Sequence, residues 1–212
     1  AISDALLERA QTLLFRNKKI LIRNTRHGLM AIGTNGDDVY GGQAFQNLCF
    51  LLDPAGNDLY ETGLESSVDR AFCLQLDLAG DDVYRSNMPA AMFNSSFGLV
   101  CTYDLAGKDL YRTNDFSFSA FMGINLHQDL DGDDIYQSGL FSQGAAMCGI
   151  ALLLDGAGND SYQASVSAQG FGSTYGAGVL LDKEGADNYS LGGKYYHEPL
   201  MPLDFITLGQ GM

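Results

Sequence analysis

A short acidic turn recurs seven times along the chain, and its spacing limits what the chain can fold into. Its fullest form is Asp129-Leu-Asp-Gly-Asp-Asp-Ile-Tyr136. The copies before it are Thr34-Asn-Gly-Asp-Asp-Val-Tyr40, Asp53-Pro-Ala-Gly-Asn-Asp-Leu-Tyr60, Asp77-Leu-Ala-Gly-Asp-Asp-Val-Tyr84 and Asp104-Leu-Ala-Gly-Lys-Asp-Leu-Tyr111. Asp155-Gly-Ala-Gly-Asn-Asp-Ser-Tyr162 and Asp182-Lys-Glu-Gly-Ala-Asp-Asn-Tyr189 follow. The tyrosines are 20, 24, 27, 25, 26 and 27 residues apart. A period in that range signals stacked units, none able to bury its apolar side alone.

An apolar strand precedes each opening Asp, as in Phe72-Cys-Leu-Gln-Leu76 and Ile150-Ala-Leu-Leu-Leu154. The first, third and fifth positions before the Asp are almost all apolar, so alternation predicts that they point inward and the two between them outward. After the tyrosine comes a variable stretch, often carrying Ser142-Gln-Gly144, Ala168-Gln-Gly170 or Gly209-Gln-Gly211. One fixed turn per coil, with roughly three short strands and corners of variable length, describes an all-β fold. The expectation is a parallel β-helix, or β-solenoid, of about seven coils. Residues 1–19 read as an N-terminal capping helix: Ser3 caps a helix over residues 3–16, and Leu6, Ala10, Leu13 and Leu14 form its apolar stripe. Residues 20–212 read as the solenoid, with strands over 20–32. Gly209-Gln-Gly211 then begins a coil that either continues beyond the C-terminus or ends open against a partner.

The net charge of −14 is localised. The seven turns hold 18 of the 26 acidic residues, and their only bases are Lys108 and Lys183. An acidic edge repels nucleic acid, so no nucleic-acid partner is expected. No apolar run approaches the roughly 18 residues of a membrane span, so no membrane insertion is expected. The four cysteines lack zinc spacing, and no nucleophile-base pair or phosphate loop is present.

Stacking aligns Asp38, Asp58, Asp82, Asp109, Asp134, Asp160 and Asp187 in one column, and Asp53, Asp77, Asp104, Asp129, Asp155 and Asp182 in another. Like charges about 4.8 Å apart repel by roughly 3.5 kcal/mol at an effective dielectric of 20. Two answers are open: calcium, a hard cation that takes carboxylate oxygens, or hydrogen bonds from each Asp to backbone N–H groups of its own turn.

The core Gly-x-Asp-x-Tyr, as in Ala55-Gly-Asn-Asp-Leu-Tyr60, resembles half of the RTX nonapeptide, the calcium-binding repeat of secreted bacterial proteins. The leading Gly-Gly is missing, and there is one turn per coil instead of two. The whole pattern, Asp-x-x-Gly-Asn-Asp-x-Tyr followed by Ser-Gln-Gly, is similar to bacterial β-solenoid repeats. The resemblance implies calcium at the two Asp columns and a secreted, periplasmic or cell-surface location.

The tyrosine column faces either inward, as an aromatic ladder, or outward, as a sugar-binding strip; the inward reading is favoured because stacked rings bury much area. Cys49 and Cys73 share a column and read as free thiols. His127, Asn125 and Gln128 are the best catalytic candidates, and a lone strand histidine is more often structural. Glu61, Arg85 and Arg112 read as a surface charge ladder. A catalytic site needs unlike groups to converge, whereas these acids repeat uniformly. The expected function is therefore a non-enzymatic structural or interaction module, partnered by a protein, by itself through the C-terminal coil, or by a surface glycan. The alternative is a polysaccharide-active β-helix enzyme, a lyase or hydrolase.

Overall fold

The computed structural model of the protein describes residues 18–86 and 91–209, and the expected helix at 3–16 lies outside them. The described chain is a parallel β-solenoid with three walls. The first wall has eight strands: Leu21–Thr25, Gly28–Ile32, Leu48–Asp53, Phe72–Asp77, Leu99–Asp104, Ile124–Asp129, Ile150–Asp155 and Ala177–Asp182. Its first two strands form an antiparallel pair, and the rest run parallel. The second wall has seven short strands, from Val39–Tyr40 to Asn188–Leu191, one after each acidic turn. The third has four: Glu65–Ser66, Asn94–Ser96, Ser119–Phe121 and Ala145–Met147. Complete three-walled coils are therefore fewer than the seven turns. A two-stranded hairpin of Tyr196–His197 and Met201–Phe205 follows the last turn.

The turns superimpose as their period predicts. Tyr40, Tyr60, Tyr84, Tyr111, Tyr136, Tyr162 and Tyr189 pair in unbroken register along the second wall. They face inward. The first six are at most 2% exposed, and ring centroids of neighbours lie 4.4–5.0 Å apart. Phe45, Phe93 and Phe118 pack edge-on against this ladder. Parallel stacked rings meeting perpendicular ones satisfy the quadrupoles of both.

The glycine of the turn is dictated by how closely the coils approach. A Cβ built on Gly107 would overlap the carbonyl oxygen of Gly80, and one on Gly80 would overlap that of Gly56. Backbone cannot yield there as a flexible side chain could.

The first wall corrects the expected inside and outside. Its strands read buried at the Asp and at the second and fourth positions before it: Cys73 and Gln75, Val100 and Thr102, Asn125 and His127, Ala151 and Leu153. The first, third and fifth positions, which carry most of the apolar residues, face out. The physical reason is that the Asp is itself an inward strand residue, and alternation counted from it reverses the assignment. Among the buried polar side chains, Thr102 Oγ1 meets His127 Nδ1 at 2.7 Å, and Asn125 donates to the carbonyl of Phe93 at 2.7 Å.

The reversal can be measured. Ala151→Arg places an unpaired charge in the interior and should cost roughly 4 kcal/mol or more in urea unfolding. Gln128→Arg, one strand away and facing out of the core, should cost far less.

Candidate functional site

The acidic turns join the coils to one another. From the second turn onward, the second Asp column accepts the backbone N–H of its counterpart in the preceding coil. Asp58 Oδ1 accepts from Asp38 N at 2.6 Å, Asp82 from Asp58 at 2.6 Å, and Asp109 from Asp82 at 2.7 Å. Asp134, Asp160 and Asp187 continue the series at 2.7, 2.7 and 3.0 Å. For these six residues the expected bond within one turn is replaced by one to a partner 20 to 27 residues away, whereas Asp38 accepts the N–H of Thr34 in its own turn at 2.6 Å.

One residue earlier, a solvent-facing column runs the opposite way. Asp37, Asn57 and Asp81 each accept a backbone N–H from the next coil, at 3.0, 3.0 and 2.9 Å. Lys108 cannot accept, and its ammonium instead reaches Asp133 at 2.6 Å. Asp133 and Asn159 then resume the pattern.

The opening Asp column binds the tyrosine ladder. Tyr40 donates its hydroxyl to Asp53 and Tyr60 to Asp77. Asp104 accepts from Tyr84 at 2.9 Å and Asp129 from Tyr136 at 3.0 Å, while the single hydroxyl proton of Tyr111 is shared between Asp104 at 3.1 Å and Asp129 at 3.0 Å. Asp155 and Asp182 accept from Tyr162 and Tyr189 of their own turns at 2.7 and 2.8 Å. Asp53 also accepts the N–H of Ala55, two residues on.

Ten of these carboxylates are at most 2% exposed: Asp53, Asp77, Asp104, Asp129 and Asp155 in the opening column, and Asp58, Asp82, Asp109, Asp134 and Asp160 in the second. Desolvation is the largest cause raising each above the ordinary carboxylate range, and neighbouring carboxylates add to it. Asp155 is raised to about 7 and Asp160 to about 6. Within a turn the two carboxyl groups lie side by side, as Asp77 and Asp82 or Asp104 and Asp109 do, with oxygens within 4.8 Å of one another.

Several buried clusters could hold a metal ion. Each joins three carboxylates, such as Asp82, Asp104 and Asp109, or Asp109, Asp129 and Asp134, with oxygens within 4.8 Å of one another. The oxygens that lack a hydrogen bond, among them Asp77 Oδ1, Asp82 Oδ2, Asp104 Oδ1 and Asp109 Oδ2, belong to these clusters. The all-oxygen donor set suits a hard cation such as calcium in kind. Three carboxylates supply three to six of the 6–8 oxygens that calcium takes, the rest coming from carbonyls or water.

The candidate catalytic residues do not converge. His127 is enclosed by Tyr111, Phe118 and Tyr136, and burial pushes its pKa down to about 3, so it stays neutral. Asn125 is buried on the same side, whereas Gln128 faces the other side of the sheet. Glu61 and Arg85 form an exposed pair at 3.4 Å, and Arg112 bonds Gln137. Cys49 and Cys73 are buried free thiols, as expected.

Sequence reasoning missed a coil-to-coil clamp. Gln143 donates to the carbonyls of Tyr136 in its own coil and Gln163 in the next, at 3.1 and 3.0 Å. Gln169 does the same with Tyr162 and Ser190. The repeated Gln-Gly was the available signal; the glycines, at φ 81° and 79°, follow glutamines at φ 51° and 54° that turn the chain into position.

Replacing Asp134 separates acceptor from charge. Asp134→Ala leaves the buried N–H of Asp109 without an acceptor and should lower unfolding free energy by roughly 1–3 kcal/mol. Asp134→Asn keeps an acceptor oxygen and removes the charge, so at pH 8 it should be markedly less destabilising than alanine in the same urea titration. Compared with known proteins, the chain matches no protein-family model, no curated protein and no solved structure.

Proposed function

We propose that this chain is a non-enzymatic structural or interaction module. The observation that carries the reading is that its acids are spent, coil after coil, on the same backbone and tyrosine partners. Catalysis calls for unlike groups brought together at an accessible point. Export to the periplasm, cell surface or medium belongs to this proposal through the resemblance to secreted solenoid repeats. The exposed last coil, where Tyr189 is 40% accessible, and the apolar hairpin carrying Met201 and Leu203 suit docking onto another protein or a further coil.

The competing reading, a polysaccharide-active enzyme, would place a carboxylate pair beside an open groove. A groove lined by Glu61, Glu65 and Arg70 offers the nearest approach to that arrangement. There Arg70 is committed to the carbonyl of Glu65 and to Asn47. Incubation with a panel of acidic and neutral glycans should leave polymer length unchanged. Depolymerisation abolished by Glu65→Gln would replace the module with an enzyme.

The columns, on this reading, are neutralised by protons shared within each turn. The folded pKa values lie above the unfolded value of about 3.9, so the folded state holds protons that the unfolded chain releases. That stabilisation is complete below about pH 4 and is lost as pH rises through the folded values, about 6 for Asp160 and about 7 for Asp155. With chelator present, the thermal midpoint should therefore fall between pH 5 and pH 8. Millimolar calcium at pH 8 should leave it unchanged and give no binding heat. Calcium that restores the midpoint, stabilising by about 2.7 kcal/mol per site at a hundredfold excess over its dissociation constant, would put calcium in place of the protons. It would then be held by groups such as Asp82, Asp104 and Asp109.

A further inference from the structure

The outer face of the first wall is an apolar sheet with nothing packed on it among the described residues. Its central column is Phe50, Leu74, Cys101, Leu126, Leu152 and Val179, aligned by the strand register. The column before it runs from Phe72 through Ile124 and Ile150 to Ala177, and the one after it from Leu52 to Leu181. Phe72 is 54% exposed, Ile124 44%, Ile150 42% and Leu181 47%. From Leu48–Asp53 to Ala177–Asp182 no outward position on these three columns carries a charge, although the protein has a net charge of −14. Tyr103 and Gln128 are the only residues there with a polar side chain other than a thiol.

We propose that this face is the interface of a homodimer, with a second copy of the chain packed sheet to sheet across it. Six strands at about 4.8 Å spacing, each about 18 Å long, cover roughly 500 Å². Two such faces bury about 1,000 Å², the minimum expected of a biological interface. An apolar patch of this size is in the upper part of the range for a monomer's largest patch, which is often functional. The second copy is the occupant that fits both shape and charge. In-register parallel strands present straight rows of side chains, and an identical set of rows offers matching ridges under twofold symmetry. Sheets pack about 10 Å apart with inner side chains interdigitated, which suits branched and aromatic residues. The acidic turns lie beyond the edge of the face, so two copies meet without burying like charges. A membrane surface fits less well, since the face carries no Lys or Arg to meet anionic headgroups.

This inference does not rest on the state of the carboxylate columns or on the absence of catalysis, and its readout is mass alone. Sedimentation velocity at micromolar concentration should show a dimer. Leu126→Glu combined with Leu152→Glu puts adjacent carboxylates on the face, outside the core, and should return the mass of a monomer with an unchanged circular dichroism spectrum. A measurement on the unaltered chain guards against a variant that fails to fold. Cys101 lies within the central column and Cys148 is exposed outside it. Maleimide labelling of Cys101 should therefore be suppressed at high protein concentration and accelerate on dilution, while labelling of Cys148 stays constant. A monomeric parent chain, a dimer that survives the paired substitution, concentration-independent labelling of Cys101, or flotation as a monomer with phosphatidylcholine vesicles would each overturn the proposal.

Discussion

A pair of carboxylates in each of the five inner turns, one strand spacing from the next and shut away from water, is the condition on which the rest of the molecule depends. Buried charges without partners are untenable, and no lysine or arginine reaches these groups among the described contacts. The molecule meets the condition with a backbone N–H from the neighbouring coil and a tyrosine hydroxyl from the core. The first is available only when coils stack in register. Electrostatic satisfaction and strand register are therefore one constraint, and a coil that slipped by one residue would lose its acceptor and its tyrosine partner together.

Much of this architecture was legible from repetition. An eight-residue turn recurring every 20–27 residues can be superimposed on itself in one way, which aligned Tyr40 through Tyr189 and implied their stacking. Which side each residue faces was harder to read. Alternation shows that Leu74 and Leu76 share a face, but it does not say which face is the core, and the apolar set is ordinarily inside. Here the inward set includes Gln75, Thr102, Asn125 and His127, because the second wall supplies enough aromatic volume to fill the interior.

The hydrogen bonding illustrates a second limit. An Asp in a turn normally serves its own backbone two residues on, as Asp53 does with Ala55. The rule fails for Asp82, whose acceptor role is decided by a coil 24 residues earlier in the chain. Local propensity carries no information about such a partner. Gln143 and Gln169 were visible as a recurring Gln-Gly for the same reason that their task was hidden: each spans two coils.

Each rung joins a coil only to its immediate neighbours and uses the same atoms every time. The chain can thus be lengthened or shortened by duplication or deletion of one whole unit, with every surviving rung remade at the new junction. A change of a few residues within the fixed turn would break two rungs at once. The same change in the stretch after the tyrosine passes through a wall that only four strands occupy. The uneven tyrosine intervals fit this division between a rigid hinge line and a tolerant flank, which makes the coil itself the unit of heritable length variation.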